Sequence, residues 1–239
     1  NVREKIAPVI TGKEFKKQSD LDQKLREMDG TENKSNFGAN AILGVSMAFA
    51  RATALAQGVP TYKLLSTTFG TEGVTLPVPM MNIVNGGKHA DNGLAIQEFM
   101  IVPAGFQKFS EALRAGVEVF HHLKKILHDK GLSTGVGDEG GFAPVFEGAN
   151  SHEQVLKTIM EAITKAGYKP GTDIFLALDC AASEFVDKSA GSKDDVHYQF
   201  EGNRRSSKEM VSLYSQWVEK YPILSIEDGL SEHDWSGWA

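Results

Sequence analysis

Hydrophobic positions recur at helical spacing in the first part of this chain and switch to short apolar runs after about Gly73. Residues 19–30, SDLDQKLREMDG, place Leu21, Leu25 and Met28 on one face of a short amphipathic helix that Gly30 stops. Residues 39–57, ANAILGVSMAFARATALAQ, predict a second helix, ended by Gly58 and Pro60, whose small residues suit close packing. The two helices make a first unit, which closes near Gly73.

The later rhythm is strand and helix. Pro77 and Pro79 lead into a strand ending MMNIV, and residues 95–103, AIQEFMIVP, form the next. A helix over 109–127 follows, with Phe109, Leu113, Val117, Phe120, Leu123 and Leu127 as its apolar face. Ser151 with Gln154 reads as a capping box for a helix through Val155, Ile159 and Ile163, which Gly167 stops. DIFLALD, residues 173–179, has the continuous apolar interior of a strand buried on both faces. Ser206 with Glu209 caps a helix carrying Met210, Leu213, Trp217 and Tyr221, and PILSIED, residues 222–228, closes the series. This alternation predicts a parallel α/β arrangement, either a barrel or a doubly wound sheet. No dinucleotide fingerprint or phosphate loop stands at a strand–helix junction, which disfavours nucleotide binding.

Composition narrows the function classes. The 239 residues are 41% hydrophobic, enough for a sizeable core, and 25 basic against 31 acidic residues give a formal charge of -6. Basic residues cluster only in doublets such as Lys16-Lys17 and Arg204-Arg205, so no direct nucleic-acid partner is expected. The single Cys180, beside FLAL, reads as a reduced, buried thiol and excludes a disulfide framework. No apolar run of bilayer-spanning length and no signal-peptide pattern is expected, so the cytoplasm is the default location. Both ends read as interrupted elements.

Candidate chemistry gathers at strand ends. Glu98 in AIQEF, Asp179 in FLALD, and Glu227 with Asp228 in LSIED would converge on one face of a parallel sheet. Singly, each acid is a turn former or a cap; together they would repel unless a hard cation such as Mg²⁺ or Mn²⁺ neutralised them. Asp179 and Glu227 are the candidate ligands, while Asp228, pointing the other way, caps or orients the loop. NGGKHADN, residues 85–92, is either a ligand-covering loop with Lys88 and His89 facing an anion, or an exposed turn. GVGDEGGFAP, residues 135–144, sets Asp138 and Glu139 among four glycines, either for close approach to a ligand or as a turn tucked down by Phe142 and Pro144.

In this order and at these separations, NGGKHADN, IQEFM, GDEGGFAP, FLALD and SIED closely resemble the enolase family, and the resemblance runs from Asn1 to Ala239. SNFGANAILGVSMA and GVPTYKLL are similar to the helical part of that family's N-terminal capping domain. The resemblance implies an α/β fold: the first half of an enolase-type TIM barrel over residues 74–239. Before it, residues 1–73 would form the mainly helical part of an α+β capping domain. It also implies a Mg²⁺-dependent lyase, homodimeric and cytoplasmic, that reversibly dehydrates 2-phosphoglycerate to phosphoenolpyruvate in glycolysis and gluconeogenesis. By the same resemblance Asp179 and Glu227 are two of three metal ligands, and Glu139, supported by Glu98, helps the C3 hydroxyl leave. His89 closes over substrate, and Gln97 and Glu98 belong to the substrate environment. Gly229 after SIED points to a bacterial-type member.

The chemistry requires such equipment. Removing a proton α to a carboxylate creates a second negative charge, which Mg²⁺ stabilises as an enediolate while a base takes the proton, an arrangement that the enolase superfamily itself exemplifies. Loss of the hydroxyl then calls for a carboxyl group of raised pKa. The family's third metal-binding Asp, its base Lys and its phosphate-contacting Arg-Ser have no counterpart in these residues, nor have its N-terminal strands and Ser-containing loop. These 239 residues alone are therefore expected to be inactive and poorly stable, unless they are a portion of a longer enzyme. Two alternatives stand beside this reading: another metal-dependent lyase or isomerase on a related barrel, and a non-catalytic enolase-like binding protein. Family resemblance alone adds surface or secreted plasminogen binding and association with an RNA-degrading complex.

Overall fold

A computed structural model describes residues 1–71, 73–148, 150–187 and 196–239. The chain divides into two compact units, Asn1–Thr75 and Leu76–Ala239.

The first unit is helical. A wide turn, Val2–Ile6, runs into α1 (Ala7–Ile10), followed by α2 (Gln18–Asp29), α3 (Ala39–Ala56) and α4 (Thr61–Phe69). Gly30 ends α2 as expected, its N–H bonding to the Arg26 carbonyl. Ile6, Leu21 and Leu25 are fully buried and gather Ile10, Phe15, Ile42, Val45 and Phe49 around them. Helix α4 was not legible in the hydrophobic pattern, although Pro60 before it and Gly70 after it are ordinary boundary signals. Against the expectation that no apolar run reaches bilayer-spanning length, α3 is long and apolar enough by length and composition to do so. Its face nonetheless packs on the buried cluster through Ile42, Val45 and Phe49.

The second unit holds a four-stranded sheet whose spatial order follows chain order. Its strands are β1 (Met81–Asn85), β2 (Glu98–Val102), β3 (Phe175–Asp179) and, later in the chain, β6 (Ile223–Glu227). A separate hairpin, β4 (His197–Phe200) with β5 (Asn203–Ser206), lies between β3 and β6 in sequence. It turns through Glu201 and Gly202, both at positive φ, which is the geometry that keeps a two-residue hairpin in twist. The helices are α5 (Phe109–Asp129), α6 (Ser151–Lys165), α7 (Ser207–Lys220) and the terminal turn α8 (Trp235–Trp238).

The sheet is open and mixed, which corrects the parallel arrangement expected from the alternation. Only β3 and β6 are parallel; β1–β2 and β2–β3 are antiparallel. A strand–helix rhythm predicts a crossover helix after each strand, but β1 and β2 follow one another with only a loop between them, and such a pair can run antiparallel.

Alternation along the strands separates two faces. Phe99, Ile101, Leu176 and Leu178 join Val119, Leu123, Leu127, Val155, Ile159 and Ile163 in the main core. Met100, Val102 and Ala177 form a smaller cluster on the other face, with Phe175. β3 is thus buried on both sides, as its continuous apolar run predicts.

Two helix details differ from expectation. On α5, Phe109, Leu113 and Val117 are 38%, 42% and 41% exposed, while Ala112, Ala115, Gly116, Val119, Leu123 and Ile126 face inward. The C-terminal half of the expected stripe, Phe120, Leu123 and Leu127, does face the core, while in the N-terminal half the small Ala112, Ala115 and Gly116 take the inward positions and let the helix lie close to the sheet. At α6 the Ser151–Gln154 capping box does not form. The Gln154 N–H bonds to the Asn150 carbonyl, and the Ser151 hydroxyl turns to Glu201 instead. The Ser206–Glu209 box at α7 forms in both directions, with Glu209 Oε2 2.7 Å from the Ser206 N–H.

Candidate active site

One row of residues crosses the sheet. Asn85 of β1 pairs with Glu98 of β2, Glu98 with Asp179 of β3, and Asp179 with Glu227 of β6. Directly paired residues point to the same face, so the three carboxylates stand side by side along one sheet edge. Glu98 reaches that edge by opening its strand, whereas Asp179 and Glu227 close theirs. The expectation that Glu98 comes late in its strand is corrected by the antiparallel direction of β2.

Burial pushes the Glu98 carboxyl above its ordinary range, and the nearby charges of Asp179 and Glu139 push it further. Asp179 is raised in the same way, by burial first and then by Asp228 and Glu139, although its own Oδ1 accepts from the Ala181 N–H. The acids do repel, as their convergence predicts.

Two loops cover this edge. NGGKHADN forms a short helical turn, Gly87–His89, held by hydrogen bonds from the N–H of Gly86 to the Gln97 carbonyl and of Gly87 to the Leu94 carbonyl. His89 Nδ1 lies 3.7 Å from Glu98 Oε1, and Lys88 reaches Glu184 at 2.6 Å. GVGDEGGFAP is tied to β1: the Phe142 N–H donates to the Ile83 carbonyl, and the Asn85 N–H to the Phe142 carbonyl, both at 2.9 Å. Phe142 is buried and stacks on Phe120 at 4.3 Å, so the loop is tucked down as Phe-Ala-Pro suggested.

The glycines of this loop serve close approach. A Cβ on Gly137 would sit 2.5 Å from the His89 carbonyl, and one on Gly141 would sit 2.5 Å from Asn85 Oδ1. The loop therefore lies against both the histidine turn and the end of β1. That contact brings Glu139, itself exposed, to Glu98 and His89, and the ligand-type atoms of the three all fall within 4.8 Å of one another.

The structure thus gathers His89, Glu98 and Glu139 tightly, with Asp179 and Glu227 adjacent in the row. Gln97 sits at the threshold of β2, its carbonyl bonded to Gly86 and its side chain against Gly87. Asp228 takes a left-handed backbone and its carbonyl accepts from the Ala182 N–H, linking the segments after β6 and β3. Among the described residues, the buried Nδ1 of His89 and the amide of Asn85 meet no hydrogen-bond partner. Crowded carboxylates, with the unpartnered Oδ1 of Asn85 beside them, offer the oxygen lone pairs that a divalent cation binds.

Asn92 escaped the sequence reading. Its buried amide donates to the carbonyls of Asn85 and Pro144, at 2.9 and 3.1 Å, and so staples the two loops together. A second asparagine closing a glycine-rich loop is the one signal that could have drawn attention to it.

Acids on neighbouring strand ends of an α/β unit, roofed by glycine-rich loops, define an enzyme of the class whose site lies at a strand-end mouth. Residues 73–239 match the family model for the enolase C-terminal TIM barrel domain, and residues 1–65 match that for the enolase N-terminal domain. The chain belongs to the enolase family, among the TIM-barrel lyases.

Proposed function

We propose that the chain carries the metal-binding and acid side of a phosphopyruvate hydratase, a hydro-lyase that interconverts 2-phospho-D-glycerate and phosphoenolpyruvate. The observation that supports this most strongly is the in-register row of Glu98, Asp179 and Glu227, with Glu139 delivered to it by the GDEGG loop.

Asp179 and Glu227 would hold Mg²⁺, whose oxygen preference their carboxylates suit. Bound there, the ion would neutralise the charge that develops on the substrate carboxylate when its α-proton leaves. Glu139 would face the C3 hydroxyl, and Glu98, whose carboxyl is pushed up by burial and neighbouring acids, would keep a proton at that end. His89, carried on the loop that Asn92 staples, would close over the substrate, and Gln97 would line its environment. Residues 1–73 and 74–239 correspond in this reading to the helical part of the capping domain and the first half of the barrel. A cytoplasmic homodimer is the accompanying assembly, and plasminogen or RNA-degradation partners rest on family resemblance alone.

The test is Mn²⁺ titration calorimetry on this chain, alongside phosphoenolpyruvate formation from 2-phosphoglycerate with Mg²⁺, by ultraviolet absorbance, in a longer enzyme that carries these residues. Glu139→Gln should remove most turnover and leave Mn²⁺ binding in place; Asp179→Asn should weaken both. Undiminished turnover in Glu139→Gln would overturn the assignment.

A further inference from the structure

His152 lies in the second turn-forming position of α6, fully buried and remote in sequence from every residue of the acid row. Its ring stacks on Phe200 at 4.3 Å and stands beside Phe99. Its polar contacts are unusual for a core histidine. Nε2 lies 2.8 Å from the backbone N of Ala95 and 3.3 Å from that of Ile96, and both N–H groups donate to it. Nε2 must therefore carry its lone pair, so the proton of the neutral ring sits on Nδ1. Nδ1 is 2.7 Å from Glu201 Oε1, and the same oxygen accepts from the His152 backbone N–H at 3.1 Å.

Ala95 and Ile96 lead straight into Gln97 and Glu98. On their other side the strand lead-in is bonded to the histidine turn, through Gly86 to Gln97 and Gly87 to Leu94. The segment is thus clamped from two directions: by the loop that carries His89, and by an imidazole that is itself oriented by Glu201. Removing the ring would leave the N–H groups of the buried Ile96 and the half-buried Ala95 without this acceptor and free the start of β2 to shift.

We propose that His152 is a positioning residue, which through Ala95 and Ile96 sets the placement of Glu98 and of the His89 turn at the acid row. Glu201 acts one step further out, fixing the tautomer that makes Nε2 an acceptor. The proposal deepens the functional reading above and rests on it only for the catalytic arm of the test.

In the unmodified chain, ¹⁵N NMR of the imidazole should show the Nδ1–H tautomer; an Nε2–H tautomer overturns the proposal. His152→Phe keeps the ring volume without an acceptor, and His152→Gln restores an acceptor near the Nε2 position. Amide exchange in a peptide spanning residues 94–99 should speed up about tenfold in His152→Phe, with residues 174–180 unchanged, and return most of the way in His152→Gln. Unchanged exchange, or equal acceleration in both peptides, overturns it, because a residue that only fills space would loosen the core as a whole. If His152→Phe does not fold, the tautomer and the glutamine variant decide. In a longer enzyme that carries these residues, kcat on 2-phosphoglycerate should fall about tenfold in the phenylalanine variant while KM stays within about threefold, the pattern of a misplaced group in the transition state. Equal kcat overturns the positioning role. A lack of turnover in these 239 residues alone is the expected result and bears on neither reading, and the tautomer and exchange measurements still decide this one.

Discussion

Glu98 faces Asp179 directly across the β2–β3 pair, although one residue opens its strand and the other closes it. Antiparallel direction makes these equivalent positions in space. Two carboxylates thereby share an edge that neither sequence segment, taken alone, identifies as common ground.

Like charges placed directly opposite cost stability, so one of them can be removed without loss in the absence of metal. Asp179→Asn is expected to hold or raise the melting temperature by about 2 °C in chelator-containing buffer, a few tenths of a kcal/mol. Mn²⁺ affinity should fall at least about tenfold in the same variant. Calorimetric melting with metal titration checks both; a destabilised apo-protein would mean that the acid is structural.

The GDEGG loop offers an internal contrast. A Cβ at Gly141 meets Asn85 Oδ1, Asn82 Oδ1 and the Ile83 backbone within 3.0 Å, whereas one at Gly140 meets nothing within 4 Å but would sit at φ +82°. Gly141→Ala should cost about 2 kcal/mol through overpacking, and Gly140→Ala about 1 kcal/mol through backbone strain. Denaturant titration distinguishes them, and the order is the informative outcome.

Helix α5 buries Val119, Leu123 and Leu127 but leaves Phe109, Leu113 and Val117 exposed. Val119→Ala should cost about 2 kcal/mol because it opens a hole in the main core, and Leu113→Ala less than about 1 kcal/mol. Equal losses in urea melts would restore the face read from the pattern of large side chains.

Glu153 provides a pH handle away from the acid row. It accepts from Lys220 Nζ at 2.6 Å and the Tyr221 hydroxyl at 2.8 Å, and these bonds, Lys220 foremost, push its carboxyl down to about 2. A carboxyl that is more acidic in the folded state contributes stability above its unfolded pKa of 4.5, and that contribution is lost as pH falls from 4.5 toward 2. With solvent screening the amount is about 1 kcal/mol. Stability measured against pH should lose that part of its slope in Glu153→Gln.

Much of this protein was legible from local rules. Gly30 and the Ser206–Glu209 box bound their helices, because terminal N–H and C=O groups need partners that only a few residue types supply. The apolar interior of FLALD announced a strand covered on both faces, and the motif set announced the family. Acids at strand ends were named from the sequence, and the structure sets Asp179 and Glu227 at the close of their strands and Glu98 at the opening of its own, in one row.

What sequence could not supply was every relationship between distant segments. Strand direction depends on the path of the connection, so the mixed sheet, and with it the register that aligns Asn85, Glu98, Asp179 and Glu227, was decided only on folding. The same holds for the inward face of α5, chosen by how near the helix can come to the sheet, and for His152, whose meaning lies in two backbone N–H groups more than fifty residues away. Local sequence determined which elements form and which chemistry they carry. Tertiary packing decided which of those groups meet, because burial and hydrogen-bond satisfaction are properties of the assembled unit rather than of any stretch within it.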